Sequence, residues 1–269
     1  MDAPTLAGLA AALIVLGVAF RVLEFWRPKA RRLPIIRPGL TTDLTYWFVF
    51  PFIHHYVVGA VVLLTVIGFA LAAYGRIDKD QIMMGFGPLA QLPAAVQALL
   101  MLVIADFLGY WTHRLFHRRR LWPFHAVHHS STTLDWLSSI RQHPVNDLIS
   151  RLATTLPLLA LGFSPAAALW IAPVFAIFGL LLHANLDWDW GRFRSVVASP
   201  RFHRWHHSED PQARDKNFAG LFPVFDIIFG TYYMPKDRLP DRFGTATPVP
   251  DGLLAQLAFP FHTHKNADG

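Results

Sequence analysis

The sequence predicts an all-α integral membrane protein: a helical bundle of four to five spans with a cytoplasmic helical cap that carries a histidine di-metal site. Three observations predict it. Hydrophobic residues make up 53% of the 269-residue chain and charged residues only 16%, with a mean hydropathy of +0.33, so too little polar surface exists to cover a water-exposed globule. Apolar segments close to the roughly 20 residues a straight span needs recur along the chain. The chain has 14 histidines and no cysteine, and most of those histidines fall just beyond apolar segments.

The first apolar segment runs over Leu6–Trp26. It has no basic stretch ahead of it, Asp2 being the one charge before Arg21, and it ends in Phe25-Trp26-Arg27-Pro28 rather than small residues; it reads as a retained helix rather than a signal peptide. The second, Leu44–Tyr74, is long for one crossing and contains Pro51, which predicts a tilt or kink. The third runs over Pro93–Trp111. The fourth and fifth, Leu148–Phe163 and Ala166–Leu182, are short and divided by Ser164-Pro165, consistent with two tight crossings or a re-entrant hairpin. From Gly191 the chain is mixed polar and aromatic, as expected of a cap packed on helix ends, and His262–Gly269 reads as a frayed terminus. The whole reads as one domain, 1–269, with N-terminal membrane helices over 1–105, a histidine-rich region over 106–235 and a tail over 236–269.

Orientation follows from lysine and arginine. Arg27, Lys29, Arg31, Arg32 and Arg37 follow the first segment, and Arg114, Arg118, Arg119 and Arg120 follow the third, whereas Arg76 and Lys79 alone lie between the second and third. The positive-inside rule puts the first two sets in the cytoplasm, so residues after Leu182 also stay there. The membrane expected is the inner, cytoplasmic one. The net charge of +6 then reflects loops facing anionic lipid, and nucleic acid is not an expected partner.

Three histidine clusters stand out: His113 and His117; His125, His128 and His129; His203, His206 and His207. On a helix, positions i, i+3 and i+4 share a face, so each cluster aims its imidazoles in one direction, and the topology brings all three to one depth. His183, at the inner end of the fifth segment, is a ninth candidate. Eight or nine imidazoles exceed what one ion takes, and two ions with an open position fit better. Imidazole alone does not select the metal; affinity order favours zinc or copper over ferrous iron. Histidines facing one another within a span would suggest haem, and ligands at the bilayer midplane on broken helices would suggest a metal transporter; here the clusters crowd beyond one end of the spans.

The sequence resembles the fatty acid hydroxylase/sterol desaturase superfamily. Its pattern reads here as His113/His117, His125/His128/His129 and His203/His206/His207, inside Asp106-Phe-Leu-Gly-Tyr-Trp-Thr-His113, Leu121-Trp-Pro-Phe-His125 and Ser199-Pro-Arg-Phe-His203-Arg-Trp-His206-His207, with Asn217-Phe-Ala-Gly-Leu-Phe-Pro-Val-Phe-Asp-Ile-Ile-Phe-Gly-Thr-Tyr as the ending. The resemblance covers about Asp106–Pro235. It implies a centre of two iron ions, for which zinc can substitute on purification, and the use of O2 and two electrons to attack an unactivated C–H bond of a membrane lipid: a fatty acyl chain, sterol, carotenoid or aminolipid. Hydroxylation ranks ahead of desaturation and of alkyl-glycerol ether cleavage. Some members carry a further spaced pair before the third cluster; here Asp187 stands four residues after His183, leaving His183 as ninth ligand with Asn185 and Asp187 in support.

Other residues bear on the site. Asp106, two helical turns before His113, is placed to accept an imidazole N–H. His143, in Arg141-Gln-His-Pro-Val-Asn, suits loop capping or contact with a substrate head, and His54 and His55 suit a substrate path. His262 and His264 suit a solvated tail, and the tryptophans near the helix ends suit an aromatic belt. With no cysteine and no flavin or nicotinamide fingerprint, electrons must come from a separate ferredoxin or cytochrome with its reductase, and Arg118-Arg119-Arg120 is the basic surface nearest the clusters for docking it.

Overall fold

The computed structural model describes residues 3–26 and 32–263. Arg27, Lys29 and Arg31, used above for orientation, and His264 lie outside the described residues. Four helices among the described residues are long and apolar enough to cross a membrane: Leu6–Phe25, Leu40–Ala72, Ala94–Phe116 and Pro165–His183. The described residues form no β-strand, only an isolated bridge between Ser208 and Phe243.

Helix α1 (Leu6–Phe25) is capped by the Thr5 side chain, which accepts from the Gly8 N–H, and buries only Phe20 and Glu24; the rest of its apolar surface suits lipid. The second span consists of α2 (Leu40–Ile53), a π-helical turn over His54–Val58 and α3 (Gly59–Tyr74). It starts four residues earlier than the hydropathy suggested. Its 33 residues extend about 50 Å at 1.5 Å per residue, against a hydrocarbon core of about 30 Å. The excess is explained by α2, which buries Asp43, Tyr46, Trp47 and Phe50 in protein. The expected kink takes the form of the π turn just after Pro51, whose missing N–H interrupts the hydrogen-bond ladder.

Helix α4 (Ala94–Phe116) buries a stripe at Gln97, Met101, Ala105, Asp106 and Tyr110, and packs Met101 and Ala105 against Leu158, Phe163, Ala167 and Ile171. Short α5 (Trp122–Ala126) follows. Helix α6 (Pro144–Ala160) covers the fourth apolar segment and is not among the candidate spans: it has 17 residues and its first half carries Asn146, Asp147 and Arg151. Of the two divided segments only the second, α7 (Pro165–His183), is long enough to cross.

Helices α8 (Pro200–His206), α9 (Val224–Ile228) and α10 (Leu253–Thr263) build the cap. The stretch expected to be a tail contributes to the core, because Leu253 of α10 packs with Tyr46, Phe50 and Val127 and Gln256 is fully buried. A charge network ties the start of α2 to the cap. Arg37 donates to Asp135 Oδ2 at 2.7 Å and to Asp43 Oδ2 at 2.6 Å. Arg141 pairs with the other oxygen of Asp43 and donates to the Gly39 carbonyl at 3.0 Å. Gly39 has φ +77°, and a Cβ there would stand 2.3 Å from Arg141 Nη2, so glycine is required for the close approach.

Candidate metal centre

Nine imidazoles meet at the cap end of the bundle. Each arrives on a helix end: His113 in the last turn of α4 and His117 as its cap, His125 on α5, His128 and His129 on the following 3-10 turn, His183 as the last residue of α7, His203 and His206 on α8 and His207 as its cap. They form two groups, His113, His117, His125, His129 and His206 in the first and His128, His183, His203 and His207 in the second, with one nitrogen of each residue within 4.8 Å of the others of its group. This corrects the expectation that each cluster aims in one direction. The i, i+4 members stay together, about 40° apart around the helix axis. The i+3 members, His128 and His206, are turned to the opposite side and each joins the other group. The groups adjoin, the rings of His129 and His207 stacking at 4.2 Å.

The ring nitrogens divide their work. His113 Nδ1 donates to the Phe218 carbonyl at 2.8 Å, His206 Nδ1 to that of Lys216 at 2.7 Å, His128 Nδ1 to that of Arg141 at 3.1 Å and His183 Nδ1 to that of Gly179 at 2.7 Å. Carbonyl oxygens only accept, so these rings are protonated at Nδ1 and present a bare lone pair at Nε2. Yet Nε2 of His183 lies 3.1 Å from Nε2 of His128, and His203 Nε2 lies 3.2 Å from His183 Nε2. In the first group His113 Nε2 and His125 Nε2 are 3.0 Å apart, and His117 Nε2 and His206 Nε2 are buried with no hydrogen-bond partner. Two lone pairs facing at 3 Å repel. A cation between them removes the repulsion, and nitrogens bound at about 2.0–2.1 Å to one ion stand about 3 Å apart. The donor set therefore fits two metal ions.

Burial, reinforced by repulsion from neighbouring imidazoles, pushes His125, His128, His129, His203, His206 and His207 well below the ordinary histidine pKa. They are neutral at physiological pH, the form that binds metal.

The loop between α8 and α9 orients three rings of the first group. Besides the Lys216 and Phe218 carbonyls, Asp215 Oδ1 lies 3.1 Å from His117 Nδ1. Asp215 and Asn217 both have positive φ, and buried groups hold the loop: Asn217 Nδ2 donates to the Phe202 carbonyl, and the Asp226 carboxylate accepts from the Phe218 and Ala219 N–H groups. Asp106 belongs to this support. It touches no imidazole, contrary to expectation, and accepts from the backbone N–H groups of Gly220, Leu221 and Phe222 at 2.8–3.0 Å. Helical spacing placed it on the correct face, but the loop stands between it and His113.

On the other side, Asn146 Oδ1 accepts from His125 Nδ1 at 3.0 Å and its Nδ2 donates to Gln142 Oε1 at 3.1 Å. This brace supports the first group; Gln142 Nε2 also lies 3.2 Å from His128 Nδ1, whose proton goes to the Arg141 carbonyl. Gln142 and Asn146 flank His143 in the sequence, and that segment was the available signal for them. His143 itself is a cap: its Nδ1 accepts from the Val145 N–H and its Nε2 donates to the Leu257 carbonyl, so it joins neither group. Asp187 pairs with Arg201 at 2.6 Å and Asn185 is buried; neither is in a metal-binding group. His54 pairs with Asp147. Arg118, Arg119 and Arg120 are exposed in the turn between α4 and α5. Arg119 lines a cavity of about 630 Å3 that reaches His117, Trp122, His129, His206 and Asp215.

Fold and site define an integral membrane protein with histidine clusters able to hold metal. The fatty acid hydroxylase family model matches residues 98–231, and the chain belongs to the fatty acid hydroxylase/sterol desaturase superfamily. It is 38% identical to an ornithine lipid hydroxylase of Rhizobium tropici over 172 residues, 64% of this chain and 52% of that protein. It is 33% identical to the alkylglycerol monooxygenase of Danio rerio over 148 residues, 52% of this chain and 31% of that protein. It is 28% identical to methylsterol monooxygenase 1-2 of Arabidopsis thaliana, over 60% of this chain and 54% of that protein. The chain thus spans about half or less of these relatives. No solved structure matches it.

Proposed function

We propose that the chain is an O2-dependent di-iron lipid hydroxylase that inserts one oxygen atom into an unactivated C–H bond of a membrane lipid. The observation that carries this reading is the pairing of bare Nε2 atoms in two adjoining imidazole groups, without a carboxylate or thiolate in either. His113, His117, His125, His129 and His206 would hold one ion and His128, His183, His203 and His207 the other. Bound there, the iron pair supplies the activation of O2; one oxygen atom enters the C–H bond, and the other leaves as water with two electrons and two protons.

The residues of the chain position and exclude. The carbonyls of Arg141, Gly179, Lys216 and Phe218 fix ring orientation, as does the Asn146 amide. Trp122 and Phe218 wall the first group, with ring centroids 5.1 and 5.0 Å from that of His117. The arginine distribution supports a cytoplasmic position for the cap in the inner membrane, and the electrons come from a separate ferredoxin or cytochrome. The names of the relatives support a lipid substrate and admit oxidation beside an ether oxygen, which starts from the same C–H step. The test is lipid mass spectrometry of cells with and without the protein. Gain of one oxygen on a lipid class supports the proposal, loss of two hydrogens makes the enzyme a desaturase, and an unchanged lipid profile at full iron loading overturns both.

A further inference from the structure

A cavity of about 490 Å3 beside the second histidine group is lined by Arg32, Arg37, Arg201 and Arg204 against only Asp187 and Asp241. It shares Leu33, Pro34 and Arg37 with a larger groove of about 800 Å3, whose walls include Leu13, Val18 and Val22 of α1, Leu40 and Leu44 of α2, and Trp136. The two form one amphipathic surface: an apolar trough along the first two spans, ending in a charged pocket.

The four arginines are held differently. Arg37 is satisfied by Asp43 and Asp135, and Arg201 by Asp187 and Asp189. Arg204 has no carboxylate within 4 Å among the described residues; its Nη1 donates to the Leu134 carbonyl at 2.9 Å, and its guanidinium lies 4.6 Å from the Phe243 ring centre. Arg32 is exposed at the rim, over the Phe25 ring. Beside it Ile35 and Ile36 are 74% and 86% exposed, as suits side chains that dip into lipid. Asp135, Glu24 and Asp187 attract Arg204 from beyond salt-bridge distance, each already paired with another arginine, and an anion entering from the adjoining groove would give this half-buried cation a direct partner.

We propose that this composite cavity binds a membrane lipid through an anionic headgroup, phosphate or carboxylate. Arg204 is its charge partner, Arg32 its guide at the rim, and the lipid chain lies in the groove between α1 and α2. The inference rests on the lipid hydroxylase reading in that the bound lipid is that enzyme's substrate. The headgroup would be anchored beside the second histidine group, since Arg204 directly follows His203 and its Nη1 lies 3.5 Å from the His183 carbonyl.

The full chain in non-ionic detergent is mixed with phosphatidylglycerol, N-oleoylglycine or phosphatidylcholine, and retained lipid is counted by native mass spectrometry. The wild type retains at least one of the two anionic lipids about tenfold better than phosphatidylcholine. Arg204→Gln and Arg32→Gln each reduce that preference severalfold, and Arg204→Lys keeps part of it. Millimolar inorganic phosphate leaves the retained lipid in place. Equal retention of anionic and zwitterionic lipid, a preference that survives both glutamine variants, or displacement by free phosphate overturns the proposal. Should Arg204→Gln misfold, exposed Arg32→Gln decides. Binding is read without turnover, so a protein that selects anionic lipid yet oxidises nothing fails the functional reading alone. A protein that oxidises lipid with no headgroup preference fails this inference alone.

Discussion

His128 Nε2 and His183 Nε2 stand 3.1 Å apart while both rings direct their protons away, to the carbonyls of Arg141 and Gly179. That relationship sets the first prediction. Loaded anaerobically with ferrous iron, the wild type holds about two ions per chain, and His183→Ala holds about one, because the second group of four loses a member while the first keeps all five. Ordinary purification yields zinc instead, by affinity order. Metal analysis finding one ion or fewer per folded wild-type chain under every loading condition would refute the two-ion reading.

The crossing of His128 and His206 into opposite groups makes them the most informative single substitutions. His128→Ala and His206→Ala each abolish turnover while the protein still inserts, since spans and ligands are separate parts of the chain. His262→Ala, on the exposed end of α10, is silent. Retention of more than about a tenth of wild-type turnover by His128→Ala, roughly 1.4 kcal/mol of barrier, contradicts a catalytic role for its cluster.

Most of this site was legible because its histidines lie at helical spacing at the ends of apolar segments, where periodicity and hydropathy speak together. The split of each His-x2-His-His between two groups was not read from that spacing, which was assigned one face for i, i+3 and i+4, although i+3 and i+4 diverge by about 100° around a helix. The supporting groups were only partly legible. Asp106 could be placed on a face, but its partners come from backbone more than 110 residues away, and a backbone N–H has no side-chain signature. Asp215 and Asn217 work through positive φ angles that the sequence does not announce. The fourth apolar segment, Leu148–Phe163, reads as a tight crossing when cut to its apolar residues; the helix starts earlier, at Pro144, and its first turn carries Asn146 and Asp147, partners of His125 and His54.

Asp106→Asn tests the loop support. Two N–H groups converge on Oδ1 and one, from Phe222, on Oδ2; whichever way the amide turns, an N–H donor meets an NH2 group. Losing a buried charge-assisted bond and setting donor against donor costs about 2–3 kcal/mol. The expected outcome is a lower Tm and a preferential loss of one metal ion, as the Phe218 carbonyl shifts away from His113. Unchanged Tm and unchanged metal content would show that the loop holds without Asp106.

Acid should weaken the metal-free protein. The folded-state pKa values of the six buried cap histidines lie well below the 6.5 of free histidine, so the unfolded chain binds more protons between the two values. Stability is then full above about pH 6.5 and falls as pH drops below it, each histidine contributing at most about 1.4 kcal/mol per pH unit. Metal-free Tm should decline between pH 7.5 and 5.5, while metal-loaded protein starts its decline at lower pH, because protons must first displace the ions. A metal-free Tm that stays level across that range contradicts the neutral buried imidazoles.

On the proposed reading a separate donor supplies the electrons for turnover; Arg118, Arg119 and Arg120 are exposed, and Arg119 lines the cavity that reaches the first histidine group. Carriers of this kind are often acidic, and long-range attraction raises encounter rates in a salt-dependent way. In an Arg118/Arg119/Arg120→Gln triple variant, turnover measured against donor concentration should show weaker apparent donor affinity and a flatter salt dependence, at wild-type iron content. None of the three supports a ring of either group, so chemistry at saturating donor should persist. If the variant and wild-type curves superimpose at low salt while both proteins insert normally, the arginines serve only topology and anionic lipid, and the donor docks elsewhere.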